Sequence, residues 1–391
     1  MSFGGAVERR AVILCAEAPF PPIGGGPLRT ASLVHYLAQR YALDVIVFRE
    51  PGAPDPRHAF PEALVRKVSV IDLPANRRDP VARALRTVTR WLRKVPPHED
   101  RFRGFPLPLD GRYHLALVEH FWCSSYIDQL APSCQRVVLD LHNIESHFYA
   151  RRAEVEQGAI AKIFTGFSAL NQQLEADRLP LFDAVLTTSQ ADAARIQHPH
   201  KLVYPNAIPE TPQPPRGGEP VVAFSGNMEF PPNLTAIAWF RDAIWPSIVS
   251  RHPDARWRLI GKNPQQAARI LAGTPNVQIT GPVEDAVAEL ARARVSVVPL
   301  RSGSGTRLKI IEAWAAGIPV VSTTIGAEGL AISPGHDIEI ADDPAAFAGK
   351  VCQLFADSSQ AERIGQAGRA LYETSYTWPA VWRNLSFHNL L

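Results

Sequence analysis

The sequence predicts an α/β protein made of two Rossmann-like units, each built on a parallel sheet. Three observations carry this. Short apolar, β-branched runs alternate with segments of helical periodicity along most of the chain. The alternation stops at a Pro- and Gly-rich break, Ile208–Pro220 (IPETPQPPRGGEP), and restarts after it. The length of 391 residues suits two domains, each of about 150–200 residues.

The first unit opens on Ala11–Ala16 (AVILCA), a buried strand by composition. A Pro/Gly-rich loop, Pro19–Pro27, follows, then a helix over Leu28–Tyr41 with Leu33, Tyr36 and Leu37 at helical spacing, then a strand at Leu43–Phe48. This is a βαβ unit, which favours a parallel sheet with a right-handed crossover. Further strands are expected at Leu115–Glu119, Val137–Leu141, Ala184–Thr188 and Lys201–Tyr204. After the break, strands are expected at Val221–Ser225, Arg256–Ile260, Val277–Thr280, Val295–Pro299, Pro319–Ser322 and Ile338–Ile340. Helices between them are expected at Asn233–Ser250, Gln265–Gly273, Asp285–Arg292, Leu308–Ala316 and Ala345–Asp357. The organisation read from this is a first domain to residue 208, a linker over 209–219, a second domain over 220–370 and a tail over 371–391. Open parallel sheets bind ligands at the carboxyl ends of their strands. With two such domains, the cleft between them is where a ligand is expected.

Composition narrows the function. Net charge is +3 with 20 % charged residues, which argues against a general nucleic-acid binder. Cys15, Cys123, Cys134 and Cys352 match no zinc spacing and read as buried free thiols of a reducing cytoplasm. No signal peptide is visible, and no run approaches the roughly 18 apolar residues of a membrane helix. His198 and His200 flank Pro199 and read as a surface turn, not a metal site.

One stretch carries chemistry. Val295–Leu300 (VSVVPL) is a strand, Arg301–Arg307 is a Gly-rich turn, and a helix begins near Leu308. Backbone N–H groups at such a helix start are unpaired, and the helix dipole adds positive charge, so Gly303, Ser304, Gly305 and Thr306 suit a phosphate. Arg307 and Lys309 would add full charges, and Glu312, one turn on, would accept from sugar hydroxyls. The bland alternative is a plain helix start with solvated basic residues. A Walker-type loop is excluded, since Gly-Lys-Ser/Thr is absent at the required spacing.

The run PLRSGSGTRLKIIEAWAAGIPVVSTTIGAEGL (Pro299–Leu330) resembles the donor-site signature of the family-4 retaining glycosyltransferases with the GT-B fold. The resemblance extends through the N-terminal GGG loop, LHNIE, YPNAI and SGNMEFPPN, which contains Gly226. It implies two Rossmann-like domains facing across a cleft and a nucleotide-diphosphate sugar, most often UDP-linked, as donor. It implies that Glu312 contacts the donor ribose, as the second glutamate of a Glu, seven residues, Glu motif. Ser304 stands where the first glutamate falls, which leaves donor-sugar handling open. The usual Arg and Lys of the second domain's first loop are also missing, with Asn227 and Pro232 near their places. Arg307 and Lys309 are the nearest replacements.

The resemblance places Gly25 and Gly26 near the donor phosphate, and glycine permits that close approach. It places His142 (LDLHNIE) near the transferred sugar. The alternatives are a flexible turn for the glycines and a loop-shaping His–Asn pair for His142. His120 and Trp122 (VEHFW) are acceptor-side candidates. Transfer in this family is thought to run on one face of the sugar, so the protein needs charge and positioning more than a nucleophile. No Asp-x-Asp motif is present, so neither a metal nor another cofactor is expected. Three rivals stay open: a dinucleotide dehydrogenase, disfavoured by the lack of Gly-x-Gly-x-x-Gly after the first strand; a nucleotide-sugar epimerase; and a non-catalytic sugar-nucleotide or glycan binder. The acceptor suggested by family analogy is a cell-envelope glycan or a lipid-linked molecule.

Two segments lie outside this reading. Asn76–Arg103 is rich in arginine, with Val81, Leu85, Val88 and Leu92 at helical spacing beside Trp91. It suits an anionic membrane surface at the inner face, a charged acceptor, or plain packing. The C-terminal aromatics Tyr372, Tyr376, Trp378, Trp382 and Phe387 suit packing, with the last helix returning to the first domain.

Overall fold

The computed structural model describes residues 9–75, 79–303 and 307–387. The chain divides into two compact units, residues 1–206 with 382–391, and residues 207–381. The change of unit falls at Asn206/Ala207, so the Pro-rich segment travels with the second unit. Its start is held there: Ile208 bridges Thr377, Tyr372 donates its hydroxyl to Pro209 O, and Arg369 donates to Thr211 O.

The first unit holds a seven-stranded parallel sheet in the order β3-β2-β1-β4-β5-β6-β7. The strands are β1 (Arg10–Cys15), β2 (Ala42–Arg49), β3 (Lys67–Asp72), β4 (Tyr113–Glu119), β5 (Cys134–Asp140), β6 (Ala184–Thr187) and β7 (Lys201–Val203). The second unit holds a six-stranded parallel sheet in the order β10-β9-β8-β11-β12-β13. Here the strands are β8 (Val221–Ser225), β9 (Arg256–Ile260), β10 (Val277–Gly281), β11 (Val295–Val298), β12 (Val320–Ser322) and β13 (Glu339–Ile340). Every recorded pairing is parallel, as β-branched runs covered on both faces by helices require. β3 is not among the expected strands. It lies at a sheet edge, and Lys67, Ser69 and Asp72 interrupt its apolar character.

The strand order fixes where a ligand belongs. In both units the order reverses beside the first strand, between β1 and β4 and between β8 and β11. The crossovers leave opposite ways from such a point and open a crevice at the carboxyl ends. All the groups considered below lie at these two ends.

Two helices differ from expectation. α1 spans Gly25–Ala38, so Gly25, Gly26 and Pro27 form its first turn and not a loop. Proline is tolerated there because the first N–H groups of a helix have no partner to lose. The segment expected as one helix over Asn233–Ser250 runs as Pro231–Trp239, a π-helical turn Phe240–Ile244, and Trp245–Arg251. Pro246 lacks the N–H a regular helix would use, and the wider turn before it avoids the clash.

Each unit has its own core. In the second, Trp245, Trp257 and Phe240 pack with Phe224 and Phe347. In the first, Phe48, Phe102 and Tyr126 pack under β1 and β4. Cys15, Cys123 and Cys352 are buried free thiols, while Cys134 is half-buried at the start of β5. His198 is buried and not on the surface, its ring bonded to Phe182 O and His200 O. The C-terminal aromatics do pack: Tyr372, Tyr376 and Trp378 are buried in the second unit. The helix Trp378–Phe387 passes into the first unit at Trp382, whose indole donates to Ser32 Oγ at 3.0 Å.

Candidate functional site

In the second unit, β8 ends at Ser225 and is followed by Gly226. Gly226 (φ +144°) and Gly261 after β9 (φ +145°) bring two backbones together. A Cβ on Gly261 would overlap Gly226 O, so only glycine lets the two strand ends meet. Beside them, β11 leads to Arg301, Ser302 and Gly303, and the helix Leu308–Ala315 begins. Ser304, Gly305 and Thr306 lie outside the described residues.

Lys309 points from that helix to the end of β8. Its Nζ donates to Asn233 Oδ1 at 2.7 Å and lies 4.2 Å from the Phe224 ring centre. A Cβ on Gly226 would stand 3.3 Å from the same Nζ. Glu312, one turn on, accepts from Ser225 Oγ at 3.3 Å. Both side chains keep some solvent exposure, yet protein surrounds their charged ends. Burial pulls Lys309 down to about 7, helped by Arg307 and opposed by Glu312. Burial pushes Glu312 up to about 7, opposed by the Ser225 bond and by Lys309. The result is a lysine and a glutamate one helical turn apart, both directed to the end of β8 and both shifted toward neutrality.

Arg307 caps the same helix, and only 5 % of it is exposed. Its Nη2 donates to Gly303 O at 3.1 Å and Ile325 O at 3.2 Å. The guanidinium ties the Gly303 turn to the short helix Ile325–Ala327 and sits under the turn as a fixed charge. Sequence spacing put Arg307 and Lys309 on equal terms. The structure separates them, with Lys309 reaching the strand ends and Arg307 holding the turn.

A prediction follows for any anionic ligand here. A bound diphosphate would raise the Lys309 pKa, so binding takes up a proton once the free lysine begins to deprotonate. Affinity is then full below about 7 and falls as pH rises through it, by up to about tenfold per pH unit. Glu312 acts in the opposite sense, since it loses acceptor capacity as it protonates below about 7. Calorimetric titration with UDP should give an affinity maximum near neutrality. Glu312→Gln should flatten the acid limb, and an unchanged acid limb would remove Glu312 from the site.

The first unit carries a denser charge cluster at its own switch point. Glu119 and Asp140 end β4 and β5, and His142 follows β5. His142 Nε2 lies 2.5 Å from Glu119 Oε2 and 3.3 Å from Asp140 Oδ2. Arg29 of α1 grips Asp140 in a bidentate pair, with Nε to Oδ2 at 2.6 Å and Nη2 to Oδ1. Arg29 Nη1 also donates to Tyr204 O and to Asn206 Oδ1. Thr30 donates to Glu119 Oε2 at 2.9 Å. Burial alone would lower the His142 pKa, but hydrogen bonds to Asp140 and Glu119 and their charges outweigh it and carry it up to about 9. Burial and then the neighbouring Asp140 raise Glu119; burial also works on Asp140, but Arg29 holds it below its usual range. His142 is therefore an imidazolium at neutral pH.

His120 packs against this imidazolium with ring centres 3.6 Å apart and planes tilted by 34°, and stacks on Trp122 at 4.2 Å, nearly parallel. Burial, then the charge of His142, keeps His120 neutral. Trp122 donates to Glu145 Oε1 at 3.0 Å. Gly26 has a packing role, since a Cβ there would overlap Glu17 Oε1 and approach His142 Nδ1 to 3.8 Å. Gly25 occupies the neighbouring position in the first turn of α1. The structure thus brings Gly26, His120, Trp122 and His142 to one place and adds Glu17, Arg29, Glu119 and Asp140. The sequence signal for these was weak. Glu119 and Asp140 close apolar strands and read as boundaries, and Arg29 looks like any helical arginine.

Ligating atoms of Glu119, Asp140 and His142 lie within 4.8 Å of one another, a spacing that could hold a metal ion. A cation there would have to displace Arg29 from Asp140 and Thr30 from Glu119, so the donors are already committed.

Two parallel-sheet units, each with its polar groups at the switch point, define a GT-B chain. Residues 219–357, within the second unit, match the family model Glycosyl transferases group 1. The chain is 22 % identical over 396 residues to an uncharacterised 44.6 kDa protein of the cps region of Klebsiella pneumoniae, covering 97 % of this chain and all of that one. Sucrose-phosphate synthase of Thermosynechococcus elongatus shares the fold with a TM-score of 0.71, at 17 % identity over 97 % of this chain and 98 % of that one. Anabaena HepE in complex with UDP and glucose shares it with a TM-score of 0.65, at 14 % identity over 97 % and 99 %. Family and fold together support a glycosyl-transfer role.

Proposed function

We propose that this protein is a retaining glycosyltransferase that uses a nucleotide-diphosphate sugar, UDP-linked, and passes the sugar to a hydroxyl of a cell-envelope glycan or lipid-linked acceptor. The observation that carries this is the convergence of Lys309 and Glu312 on the end of β8, where Lys309 lies against Phe224 and bonds Asn233 while Glu312 accepts from Ser225. In this reading Lys309 meets the diphosphate, Arg307 holds Gly303 in place, and Ser304, Gly305 and Thr306, which lie outside the described residues, are further donor contacts. Gly226 keeps the floor open, and Glu312 accepts from the ribose hydroxyls. His142 donates to a hydroxyl of the transferred sugar, and His120 with Trp122 offers an apolar, aromatic wall to the acceptor.

The reaction breaks the bond from the anomeric carbon to the diphosphate oxygen and forms one to the acceptor oxygen on the same face. The acceptor proton passes to the departing oxygen. The protein stabilises that negative charge and fixes the geometry, so no side-chain nucleophile is required. No metal is required either, since Lys309 and the helix start neutralise the diphosphate; activity is expected to survive EDTA. A UDP-linked donor is supported by HepE, seen with UDP and glucose, and a surface-glycan product by the cps-region relative.

The test is a thermal-shift panel of nucleoside diphosphates and nucleotide-sugars, since a ligand bound only by the folded state raises the melting temperature. The stabilising donor is then incubated with candidate acceptors. UDP release only when acceptor is present supports transfer. Ser304, in place of the family's glutamate, favours one second reading, a non-catalytic binder. Stabilisation by a nucleotide-sugar with no turnover across the acceptor set would favour that binder, and turnover of donor alone would indicate an epimerase.

A further inference from the structure

The helix α2 (Pro80–Arg93) is not used by the reading above. Asn76, Arg77 and Arg78, which precede it, lie outside the described residues. Its Leu85 is 65 % exposed, Val88 55 % and Leu92 80 %. Spaced three and four residues apart, they form one row on one face. Arg86 and Arg93 flank one edge of that row, Lys94 follows the last turn, and Arg90 lies on the far side of the helix. The helix holds four arginines and no acidic residue. Soluble helices turn such a row inward. Here it points outward while α2 is firmly attached elsewhere. Trp91 rests on the helix Gly158–Arg178, its ring 6.0 Å from Phe167 and directly over Gly166, where a Cβ would collide with it. Arg90 pairs with Asp100 at 2.9 Å. The apolar row is thus left outward, with the Arg90–Asp100 pair on the opposite side of the helix and Trp91 packed at the row's flank.

We propose that this face of α2 docks on an anionic lipid surface, with Leu85, Val88 and Leu92 entering the acyl boundary and the arginines lying at the headgroups. Charge decides the occupant. An apolar row with Arg86 and Arg93 along one edge and Lys94 at its end matches a bilayer with acidic headgroups, because basic stems extend along apolar surface while their charged ends reach the headgroups. Attraction falls with salt over the Debye length, while the apolar contribution does not. No helix among the described residues is long and apolar enough to cross a membrane, so the contact is with the surface. The unit that docks also carries His120 and Trp122. A lipid-linked acceptor, which rests on the glycosyl-transfer reading, would therefore reach the protein on its acceptor side.

The experiment is co-sedimentation of the full chain with vesicles of phosphatidylcholine, with and without about one-third phosphatidylglycerol. The wild type is expected to partition onto the anionic vesicles, weakly onto the neutral ones, and less as salt rises. Arg86→Glu or Arg93→Glu should weaken binding by about fivefold or more each, and Leu85→Glu/Leu92→Glu by more than about tenfold. Leu85, Leu92 and Arg93 are exposed and Arg86 is half-buried, so circular dichroism and UDP binding of the leucine and Arg93 variants should match the wild type. The proposal fails if the wild type ignores anionic vesicles at low salt, or if the leucine variant binds them equally well. It also fails if sedimentation velocity shows a dimer that the leucine variant abolishes, since a second copy would then cover the face. Loss of UDP binding in the wild type would overturn the glycosyltransferase reading and leave the vesicle result standing.

Discussion

Lys309→Met is expected to weaken UDP binding by about 100-fold and to lower kcat/KM for the donor by at least as much. The lysine stem passes through protein, and methionine fills most of its length, so the change removes charge with little loss of packing. The ammonium now bonds to Asn233 and sits over Phe224, both of which tolerate its loss better than a diphosphate would. An effect of about 2–4 kcal/mol is the range for one preorganised donor aimed at developing negative charge. Arginine should not rescue the loss, because the space between Gly226 and the Phe224 ring admits a compact ammonium and not a planar fork. Titration calorimetry with UDP measures the first effect. Affinity within threefold of the wild type would show that the diphosphate is held elsewhere.

His142→Gln is expected to reduce turnover by about 10²–10³-fold while leaving UDP affinity nearly intact. Stability should also fall, because Glu119 and Asp140 would face each other with Arg29 as the remaining cation. Breaking one member of a buried charge cluster typically costs about 3–5 kcal/mol. Glu119→Gln separates the two effects. Its amide keeps a hydrogen bond to His142 but no longer favours the imidazolium, so the histidine should lose its proton at lower pH. The sign follows from the raised folded-state pKa. The stabilising contribution of His142 is complete below its unfolded value near 6.5, and is lost as pH rises through about 9. Glu119→Gln should therefore lose more activity at pH 8 than at pH 6. Equal losses at both would mean that the charge on His142 plays no part in turnover.

Most of the strand framework was legible because a parallel sheet covered on both faces needs continuous apolar runs, and such runs are visible in one dimension. Val221–Ser225 and Arg256–Ile260 agree with expectation to the residue. β3 escaped because an edge strand needs only half of its residues to be apolar. The GGG segment read as a loop because glycine is a poor helix former, and propensity gives no weight to the Glu17 carboxylate, which lies where a Cβ on Gly26 would stand. Lys309 and Glu312 were legible from the motif that contains them. Asn233 and Ser225, which position them, were not, since they come from segments 76 and 87 residues away.

By itself the sequence determined that there are two α/β units, where most strands lie, and which turn carries a phosphate-binding pattern, because these follow from local periodicity and residue type. The difference between Lys309 and Arg307 was decided by tertiary structure alone, since spacing shows two cations in one turn and only the fold sends one to the strand ends and buries the other. The same holds for His142. Its sequence neighbours suggest a loop histidine, and its charge comes from Glu119 and Asp140, brought to it by adjacent parallel strands. Burial and proximity shift a pKa, and both are properties of the folded chain.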